Sequence, residues 1–403
     1  MVGGGDCGTR TAVQLREAGF QGRVTLIGEE PEAPYERPAL SKDVLRDDRG
    51  APKVIASANQ LAELDITWIS GTRAVRLDRD RQEIALDDGR TVEYDRALIA
   101  TGARARRPAV PGPVAIAYLR TAADAARLRS QLQPGSRLLV IGGGFIGLEV
   151  AASAVTRGCD VTVIEFAHQL MSRVVPNLVA DVVHQRHLDA GVDLRCGLGI
   201  DRIEPHGEAV RAHLTDGTNV VADVVLAGVG AVPNTELAGT AGLTIANGIA
   251  VDTHLRTDDP NILAAGDCCS FPHPLYGGQR VRLEAWRNAI AHVDVAAANL
   301  LDDDLVFDAV PWFWSDQYEL GLQIAGLHAA ASQQIVRGRD DGTELHIGLG
   351  VDGRVVSASG VAPGTAIGRD IRLIEMLIAR RATPRPADLA NPAVSLRSLV
   401  DAA

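Results

Sequence analysis

The sequence predicts an α/β chain of two Rossmann-like domains followed by a small C-terminal α+β domain. Three observations carry this. Gly142, Gly144 and Gly147 form a G-x-G-x-x-G turn between an apolar run over 138–141 and a helical stretch over 145–157. The same spacing recurs at the N-terminus in Gly3, Gly5 and Gly8. From residue 310 the texture changes to short alternating segments and a terminal helix over 371–381.

A chain of 403 residues has room for two or three domains. Its net charge of −11 argues against a general nucleic-acid role. Cys7, Cys159, Cys196, Cys268 and Cys269 show neither C-x-x-C nor zinc spacing, so no metal site is expected. Their sparse use suits a reducing cytosol, and a cytoplasmic location follows as an expectation. No signal peptide is visible. The longest apolar region, 138–155, is broken by three consecutive glycines and Glu149, so no membrane span is expected.

In the internal turn each glycine has its own task. Gly142 permits the tight turn, Gly144 lets a pyrophosphate approach the backbone, and Gly147 lets the helix lie against the strand. Phe145 and Ile146 open that helix, where free N–H groups and the dipole favour an anion. A second strand follows over 161–164, and Glu165 ends it. A carboxylate there accepts the ribose 2′-OH of NAD and repels the 2′-phosphate of NADP. The alternative is a glycine-rich βα turn without a ligand. The ordered strand, turn, helix, second strand and acid weigh against it.

At the N-terminus a helix is expected over 9–18, a strand over 23–27 and the closing acid at Glu29. Two such fingerprints imply two dinucleotides, most simply FAD and a nicotinamide. Only Met1 and Val2 precede the first turn, so a short central strand and a truncated or misassigned start are expected. Over 34–42 two prolines fix an extended turn that carries Arg37 and Lys42; a solvated loop is the alternative. Residues 65–107 read as β-rich, with a strand over 65–69, a turn at 87–89 and a buried strand over 94–102.

Residues 104–113 read as the linker to the second Rossmann unit. After Glu165 come a helix over 175–190, strands over 192–195, 200–204 and 209–214, and a strand over 223–229 that closes near Gly230. Strands over 249–255 and 262–265 return to the first domain, and Gly266-Asp267 follows at a strand end, where ligands bind in doubly wound sheets. A helix is expected within 282–300. The expected domains are 1–107 with 235–308, 108–234, and 309–403.

Together these residues resemble the two-dinucleotide flavoprotein reductases, which have a glutathione-reductase-like fold. More narrowly they resemble the NADH-dependent ferredoxin reductases of the putidaredoxin-reductase and aromatic-ring dioxygenase type. The resemblance rests on 34–42, Ala100-Thr101-Gly102, Tyr118-Leu119-Arg120-Thr121, 142–149, Ala265-Gly266-Asp267, 281–288 and 311–317. It implies that Gly3, Gly5, Cys7 and Gly8 hold the FAD pyrophosphate and Glu29 the adenosine ribose. Arg37 and Lys42 would approach the flavin, and the Val75 backbone would meet the adenine. Thr101, Gly102 and Arg120 would line the same cofactor, with Gly266 and Asp267 on its ribityl or pyrophosphate part. Trp286 and Trp314 would lie near the isoalloxazine, where a partner docks. Glu149 would pair with Lys42 near the nicotinamide.

The resemblance implies an FAD-dependent NADH:ferredoxin reductase, a monomer or homodimer. Its partner would be an acidic [2Fe–2S] ferredoxin serving a cytochrome P450 or ring-hydroxylating oxygenase. An acidic chain would then need a local basic patch, with Arg104, Arg106, Arg107, Arg282 and Arg287 as candidates. The C-x-x-x-x-C of disulfide reductases is missing: residues 39–42 hold no cysteine, so no dithiol relay is expected. Cys268-Cys269 reads as two buried thiols, since adjacent cysteines bridge only through a strained ring. Rubredoxin, a quinone or oxygen as acceptor remains open. So does an NADH-gated interaction protein similar to apoptosis-inducing factor.

Overall fold

A computed structural model describes residues 1–403. The chain divides into two compact units, Met1–Glu36 with Lys53–Arg104 and Ala231–Pro311, and Arg37–Pro52 with Ala105–Gly230 and Trp312–Ala403.

The first unit is built on a parallel sheet. Val24–Ile27 pairs with Ile66–Ile69, and Ile262–Ala264 pairs with Ala97–Ile99. Val2 alone joins the two pairs, through parallel bridges to Ile27 and Ile99. The central strand is thus as short as the sequence suggests. The strands Ala97–Ile99 and Ile262–Ala264 are buried throughout and read as unbroken apolar runs, as inner parallel strands do, whereas Ile66–Ile69 exposes Thr67. Helices Asp6–Glu17 and Trp286–Leu300 pack together within this unit. The strand expected over 249–255 shrinks to Ile249–Ala250. The Asp252 carboxylate accepts the backbone N–H groups of His254 and Arg256 at 2.8 and 2.9 Å, and Leu255 takes a φ of +64°, so the chain turns instead of extending.

The second unit carries a four-stranded sheet in the order Asp193–Cys196, Asp160–Glu165, Arg137–Ile141, Val224–Ala227. All three pairings are parallel. That order puts the glycine turn after the strand Arg137–Ile141, at the open ends of a doubly wound sheet. Three antiparallel strands follow, Ile200–His206, Ala209–Leu214 and Asn219–Ala222; the last was not legible beside its charged and polar neighbours. The C-terminal stretch is a five-stranded antiparallel sheet, with the helix Gly368–Ala379 against it.

The chain falls into two units where three domains are expected: residues 37–52 and 312–403 both group with 105–230, packing on the helices Ala122–Gln131, Phe145–Thr156 and Asn177–Asp189. The cause is specific. Arg129 donates to the carbonyls of Val44 and Gly50 at 3.0 and 2.7 Å, and Arg157 to that of Leu45 at 3.2 Å. Leu148, Val179 and Val183 share one buried cluster with Leu322, Ile324 and Val361. No helix is long and apolar enough to cross a membrane.

Leu148, fully buried in that cluster, sets the first prediction. Leu148→Ala removes packing from both sides and should destabilise the second unit by about 2–5 kcal/mol. The readout is the urea midpoint followed by tryptophan fluorescence. An unchanged midpoint would show that the cluster does not hold the C-terminal sheet.

Candidate functional site

The two glycine turns share one geometry. In the first, a Cβ added at Gly3 would lie 2.1 Å from the Ala100 carbonyl oxygen, and one at Gly8 would lie 2.1 Å from that of Gly3. Around Gly5 there is nothing within 4 Å. In the second, a Cβ at Gly142 or Gly147 would lie 2.6 Å from Gly228 O or 2.2 Å from Gly142 O, while Gly144 has only Gly228 O, at 3.8 Å. The outer glycines are therefore fixed by packing, and the middle one leaves an open cradle. Gly5 and Gly144 are also the helix N-caps, and neither has a side chain to cover the first-turn N–H groups. Each turn is thus a bare anion seat.

Around the first turn, Cys7 is buried and faces Gly266, whose added Cβ would lie 3.5 Å from that of Cys7. Burial pushes its thiol well up, so the side chain packs and only its backbone is available to a ligand. Gly266 and Asp267 lie in a short 3-10 turn. The Gly266 N–H donates to His292 Nδ1 at 2.9 Å. His292 is a residue the sequence did not offer: it is fully buried, and burial lowers its pKa to about 3, so it stays neutral. Thr101 Oγ donates to the Asn234 carbonyl at 2.7 Å, and Gly102 follows with a φ of +65°. Burial raises the carboxyl of Asp6, and Arg10 and the Trp286 side chain pull it back down. Glu29 is exposed and ion-paired with Arg73. Val75 sits where the strand register slips between Ala74 and Arg76.

At the second turn, Glu165 Oε2 accepts the Gly143 N–H at 2.6 Å and Oε1 accepts the Ala167 N–H at 2.7 Å. Its carboxylate is thus tied to the glycine loop. Ile146 is exposed, the Phe145 ring lies 4.2 Å from that of Phe313, and the Gly230 carbonyl accepts the Arg106 N–H at 2.9 Å.

Farther along the same helix lies the most concentrated chemistry of the second unit. Glu149 is buried, 4% exposed. Lys42 Nζ stands 3.2 Å from its Oε1. Ser41 Oγ donates to Oε2 at 2.5 Å and Ser315 Oγ to Oε1 at 2.7 Å. Burial raises the Glu149 pKa, while Lys42 and the two hydroxyls pull it back towards the carboxylate. Lys42 also lies 5.4 Å from the centre of the Trp314 ring and 3.7 Å from Asp316. Arg37 donates to the Arg120 carbonyl at 2.7 Å.

Three of the five candidate arginines already have partners: Arg104 pairs with Glu236 at 2.8 Å, Arg282 pairs with Glu284, and Arg107 stacks on Tyr118 at 5.3 Å. An acidic chain supplies partners locally. The loop over 34–42 is not merely solvated, because Ser41 is buried and Lys42 nearly so. Cys268 and Cys269 are free, fully buried thiols that donate to nearby carbonyls.

Comparisons with known proteins agree on the class. The pyridine nucleotide-disulphide oxidoreductase family matches residues 1–293, and the reductase C-terminal family matches 312–400. The ferredoxin–NAD(+) reductase component of the anthranilate 1,2-dioxygenase system of Burkholderia cepacia is 43% identical over 407 residues, covering 99% of this chain and 98% of the relative. The crystal structure of a covalent putidaredoxin reductase–putidaredoxin complex superposes with a TM-score of 0.92 at 36% identity, covering 100% of this chain and 97% of the other. The ferredoxin reductase for the CYP199A2 system of Rhodopseudomonas palustris gives 0.92 at 35% identity, with coverage of 99% and 98%.

The chain belongs to the pyridine nucleotide-disulphide oxidoreductase family, among its ferredoxin–NAD(+) reductases. FAD and NADH are the cofactors of that group, and the two open glycine cradles fit two dinucleotides.

The cradles make a contrast that can be measured without turnover. Gly5→Ala should leave the melting temperature of the flavin-free protein nearly unchanged but weaken FAD retention roughly tenfold or more, because its methyl group fills the cradle. Gly8→Ala should lower both, since its methyl group meets backbone. Flavin per chain after dialysis and thermal melting are the readouts. Equal behaviour of the two variants would contradict the division of roles.

Proposed function

We propose that this chain takes electrons from NADH and delivers them to a small acidic [2Fe–2S] ferredoxin that feeds a cytochrome P450 or ring-hydroxylating oxygenase. The observation that carries the reading is the pair that Lys42 makes with the buried Glu149 of the glycine-turn helix Phe145–Thr156, beside the tryptophan-bearing strand Trp312–Gln317. The relatives named for dioxygenase systems and for putidaredoxin support the ferredoxin as acceptor. A cytoplasmic location fits such a partner.

Bound FAD supplies the conversion of a two-electron donor into two one-electron deliveries. The remaining work falls to side chains. The glycine turn at 142–147 seats the NADH pyrophosphate, and Glu165, tied to that turn, takes the ribose hydroxyls and rejects a 2′-phosphate. Glu149 orients the carboxamide, with Ser41 and Ser315 fixing its two oxygens. Lys42 is the cation available to offset the negative charge that arrives with the hydride. No cysteine lies in 39–42 to take the electrons, so they pass outward without a dithiol.

Stopped-flow absorbance tests the reading. NADH should bleach the flavin band much faster than NADPH, and oxidised [2Fe–2S] ferredoxin should restore it rapidly, with a rate that falls as salt rises. Bleaching without recovery would remove ferredoxin as the acceptor. Glu165→Gln should narrow the NADH over NADPH preference by roughly tenfold or more, because the charge that repels the 2′-phosphate is gone. An unchanged preference would take that role from Glu165.

A further inference from the structure

Glu149 is the end of a longer polar chain. Ser315 Oγ, which donates to Glu149, accepts from the Gln317 side-chain amide at 3.0 Å. The Gln317 side-chain oxygen lies 2.8 Å from His187 Nε2, and His187 Nδ1 lies 3.2 Å from the Tyr318 hydroxyl. His187 is fully buried in the helix Asn177–Asp189.

Hydrogen-bond chemistry fixes the direction of every link. A carboxylate only accepts, so Ser315 donates to it. The lone pair left on Ser315 then takes the Gln317 N–H. The Gln317 oxygen in turn takes Nε2–H of His187, which leaves Nδ1 to accept from the Tyr318 hydroxyl. Four donors therefore point one way, towards Glu149. The two titratable members hold the right forms: burial lowers His187 to about 4 and pushes Tyr318 up to about 12.

A second, independent feature lies at the outer end. Tyr318 and Glu319 are the two-residue turn between Trp312–Gln317 and Leu320–Gly326, since Gln317 pairs with Leu320. Tyr318 has a φ of +56°, where a hairpin favours glycine. A bulky aromatic there persists only when its surroundings hold it. Here Arg186 stacks on its ring at 4.0 Å and pairs with Glu319 at 2.7 Å. The strained turn keeps the hydroxyl aimed at His187.

We propose that Tyr318, His187, Gln317 and Ser315 form a one-way hydrogen-bond chain that holds the Glu149 carboxylate in place, with His187 as its central positioning residue. The functional weight of this chain rests on the reading of Glu149 as the carboxylate that orients the nicotinamide. The charged and titratable groups facing Glu149 are Lys42 and, through it, Asp316. Those facing His187 are Arg186 and His184 on its own helix, with Tyr318 from the hairpin. Lys42 stays when the chain is cut, so its loss cannot be mistaken for the loss of the chain.

The test is infrared titration of the protonated-carboxyl stretch in the oxidised flavoprotein without NADH, with the band assigned by its loss in Glu149→Gln. Donors to a carboxylate favour the charged form, and the donor Ser315 is strengthened by the aligned chain behind it, so cutting that chain moves protonation to higher pH. His187→Phe should shift the band's midpoint upward by about one pH unit, roughly tenfold in proton affinity. His187→Gln, whose amide can still donate to Gln317, should restore most of it. Tyr318→Phe keeps the ring and the hairpin and should give a smaller shift in the same direction. It remains informative if His187→Phe fails to fold.

Midpoints identical to the parent in both His187→Phe and Tyr318→Phe would overturn the chain. The pH profile of flavin reduction by NADH, measured on the same variants, separates the two claims. A shifted carboxyl band with an unshifted profile would support the chain and remove Glu149 from hydride transfer.

Discussion

A carboxylate held away from water makes this site depend on its neighbours. Glu149 is 4% exposed, and three stretches distant in sequence converge on it: 41–42, the helix Phe145–Thr156 and the strand Trp312–Gln317. Burying a charge is unfavourable unless it is paired and hydrogen-bonded, and leaving a buried partner unpaired costs about 3–5 kcal/mol. The charge at Glu149 thus depends on Ser41, Lys42 and Ser315 standing against it. Ser153 reinforces the link by donating to the Ser41 carbonyl at 2.8 Å.

The glycine turns impose a complementary constraint. Both use outer glycines to bring backbone against backbone and a middle glycine to keep one face open. The seats themselves need no charged side chain, because the helix ends supply the N–H groups. The acids of the following strands differ: Glu165 is fastened to its loop by two hydrogen bonds, whereas Glu29 is exposed and paired with Arg73. On the proposed reading Glu165 is already placed for a ribose, and Glu29 can be released from a surface ion pair of small worth.

Local features of the fold were legible because they depend on local rules. The glycine spacings, the acid after the second strand and the apolar strands of the parallel sheets follow from backbone geometry and burial over a few residues. What escaped depends on distant contacts. The strand expected over 249–255 ended early because one Asp252 side chain captured two backbone N–H groups. His292 and His187 looked like ordinary helix residues, and their value comes from what burial places against them. The position of 37–52 could not be read either, since it is set by Arg129 and Arg157 reaching back to its carbonyls.

The central claim is that Lys42 and Glu149 act as one unit in hydride transfer. A double-mutant cycle on the rate constant for flavin reduction by NADH measures this directly, using Lys42→Met, Glu149→Gln and the pair. Residues that share one interaction are non-additive, so the coupling energy should exceed about 1 kcal/mol, with the double variant little worse than the poorer single one. Additive losses within about 0.3–0.5 kcal/mol would mean that the two side chains act independently, and the account built on their pairing would fail.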